Sequence, residues 1–445
     1  MVQTSWRSAL LGSGAAVALL AASVPASADQ IDELRSQIQS LQDKMSQLEK
    51  SQVSKRRVAP AAAVESGAKP RSWKLPGTNT SMQIGGYAKL DLIYDINASS
   101  GDLLLAGPAE GSAAARAQGN FRLHARQSRF WIRTWTPTDW GELETHLQGD
   151  FFGTGGNQLV SNSNSLRLRH AYGRLGPVLA GQTWSNFMPL HALPETLDFA
   201  GPRGVIFVRQ AQIRYTHSFG GGTALVLSIE NPQTLAAAYG GAPLVAGPDG
   251  LPDFVVRLQH RWSAGMVSVA ALIRQLQVDD GAGTQDTDFG WGIHFGTGVR
   301  FNNKKTAAGL LVYYGDGIGR YSAAYSDAVL NGPGGASAKL DAVTLVGGLV
   351  WLQHRWTDTL RSTIVYGRNW NDVAGSTSSG VGGLAGKAGV AAGTTQDVWS
   401  IHANLLWSPV PKTTIGVEYV YQFDGFVHSA NGTVHRVQVA FKYSF

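Results

Sequence analysis

The chain has no cysteine among its 445 residues, and only 15% of them are Asp, Glu, Lys or Arg. Without thiols, no disulfide and no Cys-ligated metal contributes to any site. A soluble chain of this length usually carries about a quarter charged residues. Beyond the N-terminus, no apolar run reaches the roughly 18 residues that a spanning helix needs. No G-x-S-x-G nucleophile elbow is present. The net charge of +6 comes with only one short basic run, SKRR at 54–57, so the stripe or motif on which nucleic-acid binding rests is missing. Glycine, by contrast, is abundant at 54 residues, beside 13 Trp and 13 Tyr. This balance fits a membrane β-barrel, whose strands are apolar on one side only.

Residues 1–28, MVQTSWRSALLGSGAAVALLAASVPASA, have Arg7 ahead of an apolar stretch and end in small residues. They are expected to be a signal peptide with an A-x-A cleavage site, leaving a mature start near Asp29. In residues 29–57, Ile31, Leu34, Ile38, Leu41, Met45 and Leu48 are spaced three and four apart. That is a short a/d seam. An isolated helix of this length is marginal in water, and the Pro/Ala/Gly-rich segment 58–81 separates it from the rest. The seam is therefore expected to pair with copies of itself.

Residues 82–445 divide into sixteen alternating segments, starting near 82, 121, 141, 163, 177, 205, 222, 253, 265, 289, 306, 338, 359, 396, 411 and 433. Their connections alternate between short turns such as PTDW (137–140), GGG (220–222) and NNKK (302–305), and long loops such as 97–120, 184–204, 315–337 and 371–395. Short turns on one side and long loops on the other mark an outer-membrane barrel. The expected fold is all-β: sixteen antiparallel strands preceded by a short helical coiled coil. An even strand count leaves both ends on the short-turn, periplasmic side, and the coil with them. The last strand, VHRVQVAFKYSF, sets Val437, Val439, Phe441, Tyr443 and Phe445 against Arg436, Gln438, Ala440, Lys442 and Ser444. It is expected to close the barrel against the first strand, so that no edge is left in lipid.

The same alternation assigns the lumen. Arg167 and Arg169 oppose Leu166 and Leu168; Arg257 and Arg261 oppose Phe254, Val256, Leu258 and Trp262; Arg214 shares a face with Gln210 and Gln212. A cation on the lipid face costs about 2–4 kcal/mol at the midplane, so these guanidinium groups are expected in water. Arg122 and Arg126 conflict in parity with Arg129 and Arg133, and a bulge near Gln127 reconciles them. Loop 184–204, with three prolines and many apolar residues, is expected to fold inward as a constriction. Glu195 and Asp198 on it would face the arginine wall, and Arg203 would join the pore lining. The candidate solute contacts are thus Arg126, Arg129, Arg133, Arg167, Arg169, Arg203, Arg214, Arg257 and Arg261. No catalytic residue, metal or cofactor is expected.

The stretches GELETHLQGDFFG, NSLRLRHAYGRL, AGQTWSNFMPLHALPETLDFAGP and VRQAQIRYTHSF resemble the DcaP-like family of outer-membrane porins. The resemblance extends over most of 82–445 and is densest between 129 and 217. It implies a homotrimer of sixteen-stranded barrels that passes small anionic solutes such as dicarboxylates. It also implies that the terminal Phe strand is read by the barrel-assembly machinery. Two other classes compete. A barrel enzyme would need a His-based constellation, and His170, His260 and His435 fall on lipid-facing positions. A structural or adhesive trimer tethered by its coil leaves an arginine-lined lumen unexplained. No folded plug domain precedes the barrel, which favours passive diffusion over active uptake.

Overall fold

The structure is a computed structural model that describes residues 28–55, 64–105, 107–159, 161–237, 249–279, 283, 285–322, 325–331, 339–373, 395–427 and 429–445. The expected signal peptide and most of loop 371–395 lie outside the described residues. The chain divides into two compact units, the first ending at Glu65 and the second spanning Ser66–Phe445. In the first unit a single helix runs Ala28–Lys55, with Asp29 in its first turn, where a carboxylate complements the helix dipole. Of the seam residues, Leu34, Ile38, Leu41, Met45 and Leu48 are each more than half exposed.

The second unit is a closed barrel of sixteen antiparallel strands. They are β1 Ser81–Asp95, β2 in two pieces (Asn120–His124 and Arg129–Thr138), β3 Gly141–Asp150, β4 Arg167–Leu175 and β5 Val178–Trp184. Next come β6 Arg209–Gly220, β7 Thr223–Glu230, β8 Asp253–Trp262, β9 Gly265–Asp279, β10 Gln285–Phe301 and β11 Thr306–Asp316. The last five are β12 Thr344–Arg355, β13 Leu360–Asn371, β14 Thr395–Trp407, β15 Thr413–Phe426 and β16 Gly432–Ser444. Closure is made by β16 on β1, from Tyr87↔Ser444 to Asp95↔Arg436. Phe445 then donates its backbone N–H to Gly86 O at 3.1 Å. Exposed Leu, Ile, Val and aromatic side chains ring the outside, among them Phe254, Val256, Ile273, Ile293, Val312, Val350, Ile364 and Tyr366. Turn chemistry keeps the short ends tight. Asn302, Asn303 and Lys304 adopt positive φ, as do Gly220, Gly221 and Gly222; asparagine and glycine tolerate that region best.

Several boundaries differ from expectation, among them β10, which starts at Gln285 and not near 289. The strand expected from 163 starts at Arg167, and that from 205 starts at Arg209. The segment near 338 forms a short strand, Lys339–Ala342, in a separate three-stranded sheet with Ala236–Ala237 and Ala328–Asn331. The segment expected as a linker is ordered from Ser66. Trp73–Lys74 pairs with Met82 and Ser81, and Lys69 forms an ion pair with Glu142 at 2.9 Å.

Two bulges position the lumen. Asp91 pairs with His124 and Tyr87 with Arg129, so β2 holds one residue more than the four steps it faces on β1. That extra residue, at the Ala125–Ser128 turn, is the bulge expected near Gln127. It flips the parity and brings Arg129 and Arg133 inside. The second lies on β4, where Gln148 pairs with His170 but Gly149 pairs with Leu168. Arg169 is the inserted residue, and both it and His170 are buried. His170 is therefore not lipid-facing as expected. It stacks on His146 with ring centroids 5.3 Å apart and shares a 3.0 Å hydrogen bond with Thr183.

Candidate functional site

Residues 185–208 between β5 and β6 fold into the barrel. Phe187, Met188, Ala192, Val205 and Ile206 are buried against inward residues of β8–β12, including Val255, Leu272, Leu311, Tyr313 and Leu349. This wall is thinned by glycine. A Cβ on Gly298 would meet His191 O at 2.1 Å, and one on Gly367 would meet Arg203 O at 1.9 Å. The loop backbone lies directly on the sheet at both places. An inward loop is thus present, as expected, and it runs on to Val208.

The residues assigned to it behave differently from expectation. Arg203 is 2% exposed. Its guanidinium donates to Leu104 O and to Leu105 O at 2.5 and 2.6 Å. It pins the inner part of loop 96–119 and offers no face to a solute. Asp198 binds Arg436 at 3.1 Å, and Glu195 takes two hydrogen bonds from Arg361, at 2.8 and 2.6 Å. Burial would raise the Glu195 carboxyl, but the bonds and charge of Arg361 and the bond from Gln353 hold it below its ordinary range. Neither acid faces the arginine wall.

That wall lies on β2–β8. Arg129, Asp150 and Arg167 form one cross-strand row. Arg167 is bidentate on Asp150 at 2.9 and 2.8 Å, and Arg169 adds a bond at 2.8 Å. Arg129 stands 3.9 Å from the same carboxylate, beyond hydrogen-bond reach. Rings separate these cations. Phe199 of the inward loop contacts Arg129, Arg167 and Arg169 at 5.9, 5.4 and 5.5 Å. Trp184 carries Arg169 at 5.6 Å and Arg209 at 4.4 Å. The loop thus brings aromatic faces, not carboxylates, to the arginines.

The other arginines extend the series along the lumen. Arg126 tethers the loops at its outer end, bonding Asp102 at 2.8 Å and Gly153 O at 3.2 Å. Arg133 lies over Trp131 at 5.0 Å. Arg214 donates to Gln212 at 2.9 Å and to Trp184 O at 2.5 Å. Arg257 makes one long contact, 3.4 Å to Met188 O, and Arg261 reaches the Met266 sulfur at 3.3 Å. The structure brings Arg129, Arg167 and Arg169 into one cluster, sets Arg126 at its rim and Arg133, Arg214, Arg257 and Arg261 further along the lumen, and removes Arg203.

Sequence reasoning missed Arg209. It falls on the outward parity of Ile213 and Tyr215 when the strand is started at 205. Because β6 begins at Arg209 itself, its side chain follows the loop inward onto Trp184 and Phe207. No group of three or more His, Asp or Glu among the described residues is arranged to hold a metal ion.

Comparison with known proteins gives the following. The family model described as DcaP outer membrane protein matches residues 22–445. The structure resembles the outer membrane channel DcaP of Acinetobacter baumannii at TM-score 0.71 and 23% identity, covering 86% of this chain and 100% of that one. An anion-selective porin from Comamonas acidovorans matches at TM-score 0.51 and 11% identity, covering 82% and 100%. The trimer form of OmpT from Vibrio cholerae matches at TM-score 0.50 and 9% identity, covering 82% and 99%. No curated protein matches.

Proposed function

Because this chain belongs to the DcaP outer membrane protein family, a family of outer-membrane channels, we propose that it is a porin for passive diffusion of small anionic solutes, dicarboxylates foremost. The observation that carries this reading is the charge imbalance of the lumen. Arg129, Arg167, Arg169 and Arg209 are gathered around a single carboxylate, Asp150, while the acids of the inward loop are taken up by Arg361 and Arg436. Arginine keeps its charge at any working pH and binds a carboxylate through two parallel hydrogen bonds. Each such contact in a wet pore is weak, about 1 kcal/mol, and a solute that must leave again needs weak contacts. The reading is of a channel and not of an enzyme.

The proposed assembly is a homotrimer in the Gram-negative outer membrane, with the helix Ala28–Lys55 pairing with its copies in the periplasm. The outer face of β2–β6 supports the trimer. One cross-strand row there reads Thr134, Thr145, Gly173, Ala180 and then Ile213, and the next reads Ile132, Leu147, Ala171, Gln182, Ala211. Thr134 and Thr145 hydrogen-bond each other at 2.6 Å on the exposed surface. Small and polar groups suit another protein surface better than acyl chains, which leave polar groups unpaired. The apolar outer face of β8–β14 suits lipid. Replacing Ala180 by Trp is expected to lower trimer heat resistance on denaturing gels, the usual cost of overpacking being about 1–3 kcal/mol. Unchanged trimer melting would remove this face from the interface.

Proteoliposome swelling tests the transport reading. Succinate should enter faster than an amine cation of similar size. Equal rates, or faster entry of the cation, would overturn it.

A further inference from the structure

Within the arginine cluster two members differ from the rest. Both oxygens of Asp150 are engaged by Arg167 and Arg169, and Phe152 N–H also donates to Oδ1 at 3.2 Å. Arg169 spends its Nε on Gln148 at 3.0 Å. Arg129 and Arg209 stand on either side of this saturated group. The Nε of Arg129 and the Nη1 of Arg209 are shielded from solvent and have no hydrogen-bond acceptor. Both side chains remain partly accessible to the lumen. Each is held in place by rings instead. Arg129 lies over Tyr87 at 5.2 Å and Phe199 at 5.9 Å, and Arg209 over Trp184 at 4.4 Å and Phe207 at 5.8 Å.

Ring packing fixes a guanidinium without using its donors. A desolvated N–H that lacks an acceptor is costly, and a carboxylate supplies that acceptor. We infer that Arg129 and Arg209 form a saturable two-point anion site, each taking one carboxylate of a single solute, with Phe199 and Trp184 as the apolar wall between them. This deepens the proposed function and rests on it: other lumen arginines set the field that admits anions, and these two decide which anion pauses. A monocarboxylate satisfies one point and is held less well. The fixed aromatic supports reduce the ordering cost of binding, which is the advantage of a preorganised site.

Single-channel recording with succinate and acetate as probes tests the inference on the full-length trimer. In the wild-type protein, ion-current block by succinate should saturate, and block by acetate should need much higher concentrations. R209Q should raise the half-blocking concentration of succinate about tenfold, as expected for loss of a charge-assisted hydrogen bond, and change that of acetate far less. R129Q should do the same, and it serves as the second variant should R209Q assemble poorly by its gel migration. R209K keeps the charge but loses the planar fork, and should recover only part of the block. R257Q removes the same charge elsewhere in the lumen and should move the zero-current potential as R209Q does, with a smaller effect on succinate block. An anion-selective wild-type pore without saturable succinate block, or an R209Q pore blocked like wild type, overturns the inference alone. A cation-selective wild-type pore overturns the proposed function beneath it.

Discussion

On β13 and β16, Arg361 and Arg436 each give their Nε to a carboxylate, Glu195 at 2.8 Å and Asp95 at 2.7 Å. On β2 and β8, Arg129, Arg133 and Arg257 have no acceptor for theirs. The residue type is the same and the barrel is the same, yet the two walls use arginine for opposite ends. On the first wall the guanidinium groups fasten loops. Arg436 joins Asp95 to Asp198 of the inward loop and also holds Gly101 O of loop 96–119 at 2.6 Å. On the second wall Asp150 is taken up by Arg167 and Arg169, rings lie against Arg129 and Arg133, and Arg257 has only a long contact to Met188 O. Arg361 and Arg436 fasten the inward loop; Arg129, Arg133 and Arg257 are left under-paired. Substitutions on the two walls should therefore separate stability from selectivity.

Arg436→Gln should have the largest effect. It strips a partner from Asp95 and Asp198, which are 0% and 2% exposed, and breaking a buried pair costs about 3–5 kcal/mol. The folded barrel should lose its heat resistance on gels, and open-channel noise should rise as the inward loop loosens. Wild-type thermal behaviour would break the comparison at its stronger end.

Arg361→Gln should cost less, about 1 kcal/mol once the half-exposed Glu195 is discounted for solvent. The same contact makes a pH prediction. Since the folded Glu195 carboxyl lies below its ordinary value, its stabilisation is full above that ordinary value and is lost as pH falls through the folded one. Acidification below the carboxylate range should add current noise in wild type. R361Q should already be noisy at neutral pH and gain little more. Equal acid responses in the two would place the pH-sensitive contact elsewhere.

Arg133→Gln and Arg257→Gln, the smallest perturbations of the fold, should shift stability by no more than about 0.5 kcal/mol, as substitutions away from satisfied networks do. A melting shift as large as that of R436Q would show that this wall is structural too.

Most of the barrel was legible because its signals are local. Alternation within a strand and Asn, Gly or Pro at its ends located the sixteen segments, and the parity clash of Arg126 with Arg129 announced the β2 bulge. The candidate site was legible only in part. The β4 insertion at Arg169 was missed although Arg174 conflicts in parity with Arg167 and Arg169; Arg174 pairs with Glu144 on the inner face, and His170 turns inward with it. Arg209 was hidden because Val205 and Ile206 read as strand while they are loop residues buried on the wall. The partners of Glu195 and Asp198 are 166 and 238 residues away, and charge patterning along a chain cannot choose among such distant arginines. One usable signal was overlooked. Gly292, Gly296 and Gly298 recur on the inward parity of β10, where a barrel wall normally carries side chains, and their Cβ positions are occupied by Ile318, Pro189 and His191. Missing side chains on an inner face mark where something else packs.

The zero-current potential across a KCl gradient, recorded for wild type and for the R133Q/R257Q double variant, tests the central claim most directly. The account predicts an anion-selective wild-type pore and a clear shift toward cations in the variant, with the barrel equally heat-resistant. A cation-selective wild type, or a variant with the wild-type potential, would contradict it.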